Sequence, residues 1–476
     1  ETGSDGLELA AQRADVDLDE VGVVLGEAPD LGEQLGLADD LARASGERPE
    51  DVELGAGQLD LVLAPADEAT GVREPPADAG AGDVRLLDRE LFGKRELFCR
   101  TGPSFRANPD HYRGLRYRPA PPNDLTASDG ATVGTFIREA KARGLEVWLQ
   151  VQAAIPPGYR VQFGGPEGDD IPLLPEGGKA EGRVDKNGSL ASPHIKAYTA
   201  ALLADLAEAY PEVDGFRVDW PEYPPYTLDS IFQDFSDHAM RAGERLGYDT
   251  ERMRTDTIAA RRKLLGGLTD ADVDTLRPVD LVEEHPGLAD LFRLKADLVA
   301  EFLRDLRAAL PAGKKLAPQA FPPPWNAVSG FDFARAAPYS DAIGLKLYTM
   351  HWPMMLRFYA DTLLATNPGL DPAKLARRLA ALCDTGDVPA SLEDVRYPEP
   401  LEPHPVSAGA QAAKVREGMQ AGEGCPVFPF AHAYGPVGDF AARALVAWDA
   451  GDHGIWVNRY GYLSDEKLDR LGELPR

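Results

Sequence analysis

Val213-Asp214-Gly215-Phe216-Arg217-Val218-Asp219-Trp220-Pro221-Glu222 is the most informative stretch of this sequence. It begins as an apolar run that contains one arginine, and it ends in two carboxylates, a tryptophan and a proline. A run of this length before a proline-rich loop predicts a buried strand that ends near Asp219. In a parallel α/β barrel, catalytic groups lie at the carboxyl ends of such strands. Asp219 is therefore the first candidate for a catalytic residue.

Seven further apolar runs of similar length predict strands near residues 21, 59, 145, 316, 342, 426 and 455. Most are separated by segments with helical periodicity. Eight strands that alternate with helices predict an α/β fold, namely a (β/α)8 TIM barrel. We expect one catalytic domain over residues 1–476, with long βα loops inserted at about 66–128, 155–190 and 387–408. No glycine-rich phosphate loop follows a strand, which argues against a nucleotide-binding fold.

The composition excludes several classes of partner. The chain has 476 residues and a formal net charge of -28, from 78 Asp+Glu against 50 Lys+Arg. Such an excess of negative charge argues against binding to nucleic acid or to an anionic membrane surface. The 3 cysteines are far apart, so we expect buried free thiols rather than disulfides or a zinc site. We expect no metal and no cofactor, and the sequence leaves the compartment open.

The side chains at the predicted strand ends suit a carbohydrate. Aromatic rings can stack on the C–H surface of a sugar, while amide, histidine and arginine groups bind its hydroxyls. Carboxylates, amides and aromatic rings dominate this set, although tryptophan and tyrosine can also simply close the top of a barrel. The candidate binding residues are Gln152, Arg217, Trp220, Gln319, Lys346, Tyr348, His351, His432, Tyr434 and Arg459.

Cleavage of a glycosidic bond requires two carboxyl groups, of which one acts as nucleophile or base and the other as acid. Asp219 is the nucleophile candidate. Arg217 lies two residues earlier on the same face of the strand, where its guanidinium would keep the carboxylate ionised. The alternative is an inward Arg–Asp pair that only stabilises the barrel.

The general acid is harder to assign. Glu222 follows Asp219 in the same loop, but a surface position or a contact with a substrate hydroxyl explains it equally well. Two carboxylates of one loop do not obviously flank a bond. Glu27, Glu283 and Glu284 are the rival candidates.

Lys346 is unusual because it interrupts an apolar strand. A buried lysine requires a carboxylate partner or has a lowered pKa, so Lys346 either pairs with Asp219, binds substrate or forms a Schiff base. His351 and His432 lack the spacing of metal ligands, which favours substrate hydrogen bonding or core packing for both.

Gly215-Phe216-Arg217-Val218-Asp219 resembles the fourth-strand motif of the α-amylase clan. The resemblance implies a nucleophilic role for Asp219 and a supporting role for Arg217. The wider pattern over Asp129 to Asp237 resembles glycoside hydrolase-like barrels of bacterial genomes. The clan pattern also implies an acidic Glu where this sequence has Gln319, and an Asp beside the position of His432. We therefore carry over only the two roles of the motif.

Three hypotheses follow. The first is a retaining glycoside hydrolase that acts on an oligo- or polysaccharide. The second is a carbohydrate-binding barrel without catalytic activity, which would explain the missing fifth-strand Glu. The third is a Schiff-base lyase or aldolase that uses Lys346.

Overall fold

The computed structural model describes residues 23–25, 83–88, 95–100, 105–122, 124–129, 131–156, 165–183, 185–386, 389–458 and 462–475. Nine strands lie in these ranges. They are β1 (Val23–Leu25), β2 (Asp83–Asp88), β3 (Arg95–Arg100), β4 (Trp148–Gln152), β5 (Gly215–Asp219), β6 (Lys315–Ala320), β7 (Ile343–Leu347), β8 (Val427–His432) and β9 (Ile455–Asn458).

The main sheet contains seven strands in the order β1-β9-β8-β7-β6-β5-β4. The six strands from β4 to β9 are parallel, and each pairs with the next one along the chain. This order is typical of successive right-handed βα units. The six strands form an open half-barrel, and their carboxyl ends meet at one edge.

The predicted closed (β/α)8 barrel is wrong. The strand near residue 21 pairs antiparallel with β9, with Val23 opposite Val457, and β4 forms the other edge of the described sheet. The strand predicted at residues 59–63 lies outside the described residues. A short apolar run indicates a buried strand but carries no information about its direction, so counting such runs could not establish closure.

Most helices connect the parallel strands. They are α1 (Asp124–Asp129), α2 (Thr132–Ala142), α3 (Pro193–Ala209), α4 (Leu228–Ile231), α5 (Asp237–Arg245), α6 (Thr250–Leu264), α7 (Asp270–Thr275), α8 (Pro278–Glu284), α9 (Pro286–Ala309), α10 (Trp325–Ser329), α11 (Phe333–Ala336), α12 (His351–Thr366), α13 (Pro372–Leu382), α14 (Ala408–Ala421), α15 (Val437–Ala450) and α16 (Asp465–Gly472). Within the described residues, every helix is too short or too polar to cross a membrane.

Local sequence signals explain several of these boundaries. Ser192 caps α3, where its hydroxyl accepts hydrogen bonds from the backbone N–H groups of His194 and Ile195, and Pro193 occupies the first turn. The helix predicted from Leu228 to Leu246 is instead two helices, α4 and α5, and Ser236 caps the second. The long region 66–128 contains a β-hairpin of β2 and β3, with Val84 opposite Cys99.

The two faces of the half-barrel differ in character. Alternate residues of a strand point to opposite faces, so Phe216 and Leu345 lie on the face covered by helices. Leu345 packs against Gly418 of α14, where a Cβ atom would lie 3.2 Å from its methyl groups. The opposite face carries the charged, amide and aromatic side chains of the strands, and we call it the site face. Cys383 and Cys425 are buried free thiols, as expected.

Candidate active site

Asp219 is the last residue of β5 and lies at the carboxyl edge of the sheet. It is in register with Gln152, the last residue of β4. The next residue, Trp220, has φ 49°, which is uncommon for a bulky side chain. This turn lets the N–H of Trp220 donate to Oδ1 of Asp219 at 2.8 Å. The backbone itself therefore helps to fix the orientation of the carboxylate.

Lys346 joins two carboxylates on the site face. Its ammonium lies 2.7 Å from Oδ1 of Asp219 and 3.6 Å from Oε1 of Glu222. The side chain of Lys346 is 1% exposed and that of Asp219 is 9% exposed. The ammonium also lies 4.7 Å from the centre of the Phe321 ring. The predicted pair of Lys346 and Asp219 is therefore present, with Glu222 as a third member.

Glu222 is completely buried in the loop after β5. Its Oε1 accepts a hydrogen bond from the N–H of Phe321 at 2.9 Å, and its Oε2 accepts one from the hydroxyl of Ser329 at 2.5 Å. Burial raises the pKa of Glu222 to about 7, although the charge of Lys346 and the two hydrogen bonds act in the opposite direction. The raised pKa favours the protonated form of Glu222 compared with an ordinary, exposed glutamate.

Arg217 occupies the same face two residues before Asp219. Its guanidinium carbon lies 4.5 Å from the centre of the Phe430 ring and 4.7 Å from that of Trp456. Gly344 makes this stack possible, because a Cβ atom there would lie 2.7 Å from Trp456 and closer still to Phe430. Arg217 thus stacks on two aromatic rings, and the cation that contacts Asp219 at 2.7 Å is Lys346.

Aromatic and histidine side chains surround the carboxyl ends of β7 and β8. The ring of Tyr348 lies 5.4 Å, centre to centre, from both His351 and His432. Its hydroxyl accepts a hydrogen bond from the Asn458 amide at 2.7 Å. Nδ1 of His432 accepts the backbone N–H of Tyr434 at 3.0 Å, so a neutral His432 carries its proton on Nε2.

The remaining predicted binding residues differ in their hydrogen-bond partners. Tyr434 is buried and its hydroxyl donates to the carbonyl of Pro398 at 2.9 Å. Gln319 is also buried, and its amide donates to the side chain of Gln150 on β4. Oε1 of Gln152 is buried without a hydrogen-bond partner in the described residues, as expected for a group that binds a ligand. Arg459 lies outside the described residues.

Three residues of the site have no clear signal in the sequence. Ser329 contacts Glu222, and the ring of Tyr226 lies 6.1 Å from Trp220 and 5.8 Å from His351, centre to centre. Both residues come from loops and short helices whose position depends on the whole fold. Asn187 is followed by Gly and Ser, a glycosylation sequon, yet it is 1% exposed. Its amide donates to the carbonyl oxygens of Trp220 at 2.7 Å and Glu222 at 3.1 Å. The structure thus assigns Asn187 to support of the active-site loop.

The rival acids do not join this cluster. Glu284 ends α8, is 51% exposed and forms an ion pair with Lys263. Glu283 lies beside it and is also exposed. Glu27 lies outside the described residues. Among the described carboxylates, Glu222 is the one that shares the ammonium of Lys346 with Asp219.

One cluster of the described residues has the composition of a metal site. Asp169, His194 and His238 bring one ligand atom each within 4.8 Å of one another. However, Arg116 donates to Asp169 at 2.5 Å, and the guanidinium of Arg241 lies 3.0 Å from Nδ1 of His238. Because a guanidinium only donates, a neutral His238 carries its proton on Nε2, the nitrogen next to Asp169. We assign the cluster to ion pairing.

Comparisons with known proteins show no family. No protein-family model matches the chain, and no curated protein matches it. Among solved structures, the chain is similar to a beta-galactosidase from the psychrophilic Marinomonas ef1, at 14% identity and a TM-score of 0.31. The similarity covers 72% of this chain and 62% of that one. A similarity this distant assigns neither fold nor activity.

Proposed function

We propose that this protein hydrolyses glycosidic bonds of an oligo- or polysaccharide, with Asp219 as nucleophile and Glu222 as general acid. One observation carries the proposal. Asp219 is a carboxylate in an ion pair with Lys346, while the pKa of its neighbour Glu222 is about 7. A glycosidase requires such a pair, in which one group is ionised and the other can donate a proton.

The distances favour retention of configuration. One oxygen of Asp219 and one of Glu222 contact the same ammonium, at 2.7 Å and 3.6 Å. Two carboxyl groups that share one cation lie close together, which favours the ~5–5.5 Å spacing of retaining enzymes over the ~6.5–9.5 Å that leaves room for water in inverting ones. Asp219 would therefore attack the anomeric carbon directly.

The reaction would proceed in two steps. Asp219 attacks the anomeric carbon while Glu222 protonates the departing oxygen, which breaks the C–O bond and leaves a covalent glycosyl ester. Ionised Glu222 then removes a proton from water, which attacks the ester and restores both carboxyl groups. In the first step Glu222 must turn away from Ser329 or Phe321 to reach the substrate, because both of its oxygens accept hydrogen bonds from them.

The polar lining of the site face supports a sugar as substrate. Gln152 offers a buried carbonyl oxygen at the end of β4, and Tyr348 and His432 lie together at the ends of β7 and β8. Amide, phenol and imidazole groups donate to and accept from hydroxyls, and the neighbouring rings can stack on a pyranose.

A second candidate is saccharide binding without catalysis. The complete burial of Glu222 and its two hydrogen bonds favour this alternative. Schiff-base chemistry at Lys346 is less favoured, since a nucleophilic amine must be neutral and this one lies between two carboxylates.

The test compares two variants on two kinds of substrate. We expect Asp219→Asn to abolish turnover of every glycoside. We expect Glu222→Gln to lower turnover of natural glycosides by about 10²–10⁴-fold. It should retain activity on dinitrophenyl glycosides, whose leaving group needs no proton. Proton NMR of the first product anomer reports retention. Full activity of Asp219→Asn, or saccharide binding with no product, would contradict the proposal.

A further inference from the structure

A cleft of about 1000 Å³ lies beside the candidate active site. Its walls are residues 116–121 and the loop after β4, which contributes Pro156 and residues between Gly165 and Lys186. Pro156 follows closely after Gln152, the last residue of β4. The cleft therefore opens near the edge of the sheet that carries Asp219.

Hydrogen bonds connect the cleft wall with the loop that carries Glu222. Asp185 lines the cleft and accepts the backbone N–H of Asn187 at 3.0 Å. The side-chain amide of Asn187 in turn donates to the carbonyl oxygens of Trp220 and Glu222. The wall of the cleft is thus connected through Asn187 to the loop that carries Glu222.

Cationic side chains outnumber carboxylates along this wall, although the whole protein has a net charge of -28. The lining contains two carboxylates, Glu167 and Asp185. Its five cationic residues are Arg116, Arg118, Lys179, Arg183 and Lys186.

Two of these cations already have partners. Arg116 and Arg183 form ion pairs with neighbouring aspartates. The other three side chains are exposed, and none forms an ion pair with a described residue. Two of them, Lys179 and Lys186, lie in the loop after β4, and Arg118 lies in the segment 116–121 that forms the other wall of the cleft.

We propose that this cleft binds the anionic groups of an acidic polysaccharide, so that the substrate of the site is a uronate-containing or sulfated glycan. The inference rests on the proposed glycosidase function. Three cations that lack an ion-pair partner among the described residues raise the local concentration of an anionic chain and can bind its carboxylates or sulfates directly. A neutral glycan gains nothing from them.

The binding experiment uses calorimetry on the full chain with three probes. These are an oligogalacturonate, a sulfated carrageenan oligosaccharide and a neutral cello-oligosaccharide of the same length. At low ionic strength we expect one or both acidic probes to bind at least about tenfold more tightly than the neutral one. In about 1 M salt, where the Debye length is ~3 Å, this preference should be lost. The two acidic probes distinguish a carboxylate ligand from a sulfate ligand.

A pair of matched variants tests the location. The cleft variant combines Arg118→Gln, Lys179→Gln and Lys186→Gln, and we expect it to bind the acidic probe about tenfold more weakly. The control variant removes three exposed cations that do not line the cleft, through Arg262→Gln, Arg377→Gln and Arg416→Gln. Equal affinity of wild type for acidic and neutral probes, or equal weakening by both variants, would overturn the inference.

Turnover of the same probes separates the two proposals. Salt-sensitive binding of an acidic glycan without any cleavage would support the cleft and contradict the hydrolase. A different result is that wild type and the cleft variant cleave the neutral probe equally well and wild type shows no preference for acidic probes. That result would contradict the proposal for the cleft and support the proposed hydrolase activity.

Discussion

The ammonium of Lys346 lies 2.7 Å from Asp219, while Asp219 also accepts the N–H of its own neighbour Trp220 at 2.8 Å. The ion pair joins β5 to β7 across β6, so it fixes the carboxylate relative to the sheet. Glu222 contacts the same ammonium at 3.6 Å. A buried charge that loses its partner is costly, because neither water nor another charge replaces the interaction.

Replacement of Lys346 by methionine should therefore destabilise the protein. The change leaves two buried carboxyl groups without their shared cation, and we expect the free energy of unfolding to fall by about 3–5 kcal/mol. Urea denaturation followed by circular dichroism measures the loss. In the double variant Lys346→Met and Asp219→Asn, the loss in free energy of unfolding should be smaller than the sum of the losses in the two single variants. We expect a coupling energy of about 1–3 kcal/mol. Additivity within ~0.5 kcal/mol would show that the two residues do not interact.

Glu222 should make stability depend on pH. Its pKa is raised from 4.5 to about 7 by burial, so the folded state prefers the protonated form. The stability that this preference provides is fully present below pH 4.5 and is lost as the pH rises through 7. Glu222→Gln removes the titration. Between pH 4.5 and pH 7, the free energy of unfolding of wild type should therefore fall by up to about 3 kcal/mol relative to that of the variant. Denaturation curves across this range measure the difference, and parallel pH profiles would contradict the assignment.

Gly344 should tolerate no side chain. A Cβ atom there would press on Trp456 and Phe430, the two rings beneath Arg217. We expect Gly344→Ala to lower the free energy of unfolding by about 1–3 kcal/mol. Gly438→Ala is the control, because nothing lies within 4 Å of the added atom in α15 and an alanine there should stabilise the helix by about 0.5–1 kcal/mol. Equal effects of the two substitutions would contradict the packing argument.

The hydroxyl of Tyr348 should contribute to stability through Asn458. The Asn458 amide donates to it at 2.7 Å, and the other polar atom of that amide, Oδ1, is buried without a partner in the described residues. Tyr348→Phe leaves the amide nitrogen unpaired as well, which should cost about 1–3 kcal/mol. Tyr210→Phe is the control, because it changes a half-buried tyrosine elsewhere in the fold. Its free energy of unfolding should lie within about 0.5 kcal/mol of the wild-type value. Urea denaturation compares the two, and a neutral Tyr348→Phe would rule out the contribution.

The sequence predicted the six parallel strands well. The apolar runs near residues 145, 213, 316, 342, 426 and 455 correspond to β4 to β9. These signals are local, since burial of a short run and the capping of a helix depend on neighbouring residues. The whole helix α14, Ala408–Ala421, is absent from the sequence-based prediction, in which the proline-rich stretch 387–408 indicates a loop.

The candidate site was predicted only in part. Asp219, Glu222 and Lys346 were singled out, and the ion pair of Lys346 with Asp219 was one of the alternatives. Residue alternation places Arg217 and Asp219 on one face of β5, whereas the stacking of Arg217 on Phe430 and Trp456 joins segments far apart in the chain. Ser329 was missed because its contact with Glu222 joins residues far apart in the chain.

The sequence by itself determined the six strands of the parallel sheet, their order of appearance and the residues at their ends, because each depends on local hydrophobicity and backbone preference. Only the tertiary structure decided that the sheet is an open half-barrel in the described residues, that β1 runs antiparallel to β9, and that Lys346 connects Asp219 with Glu222. Strand direction, closure and ion pairing depend on contacts between distant segments, and a local pattern does not specify which distant partner provides the lowest free energy.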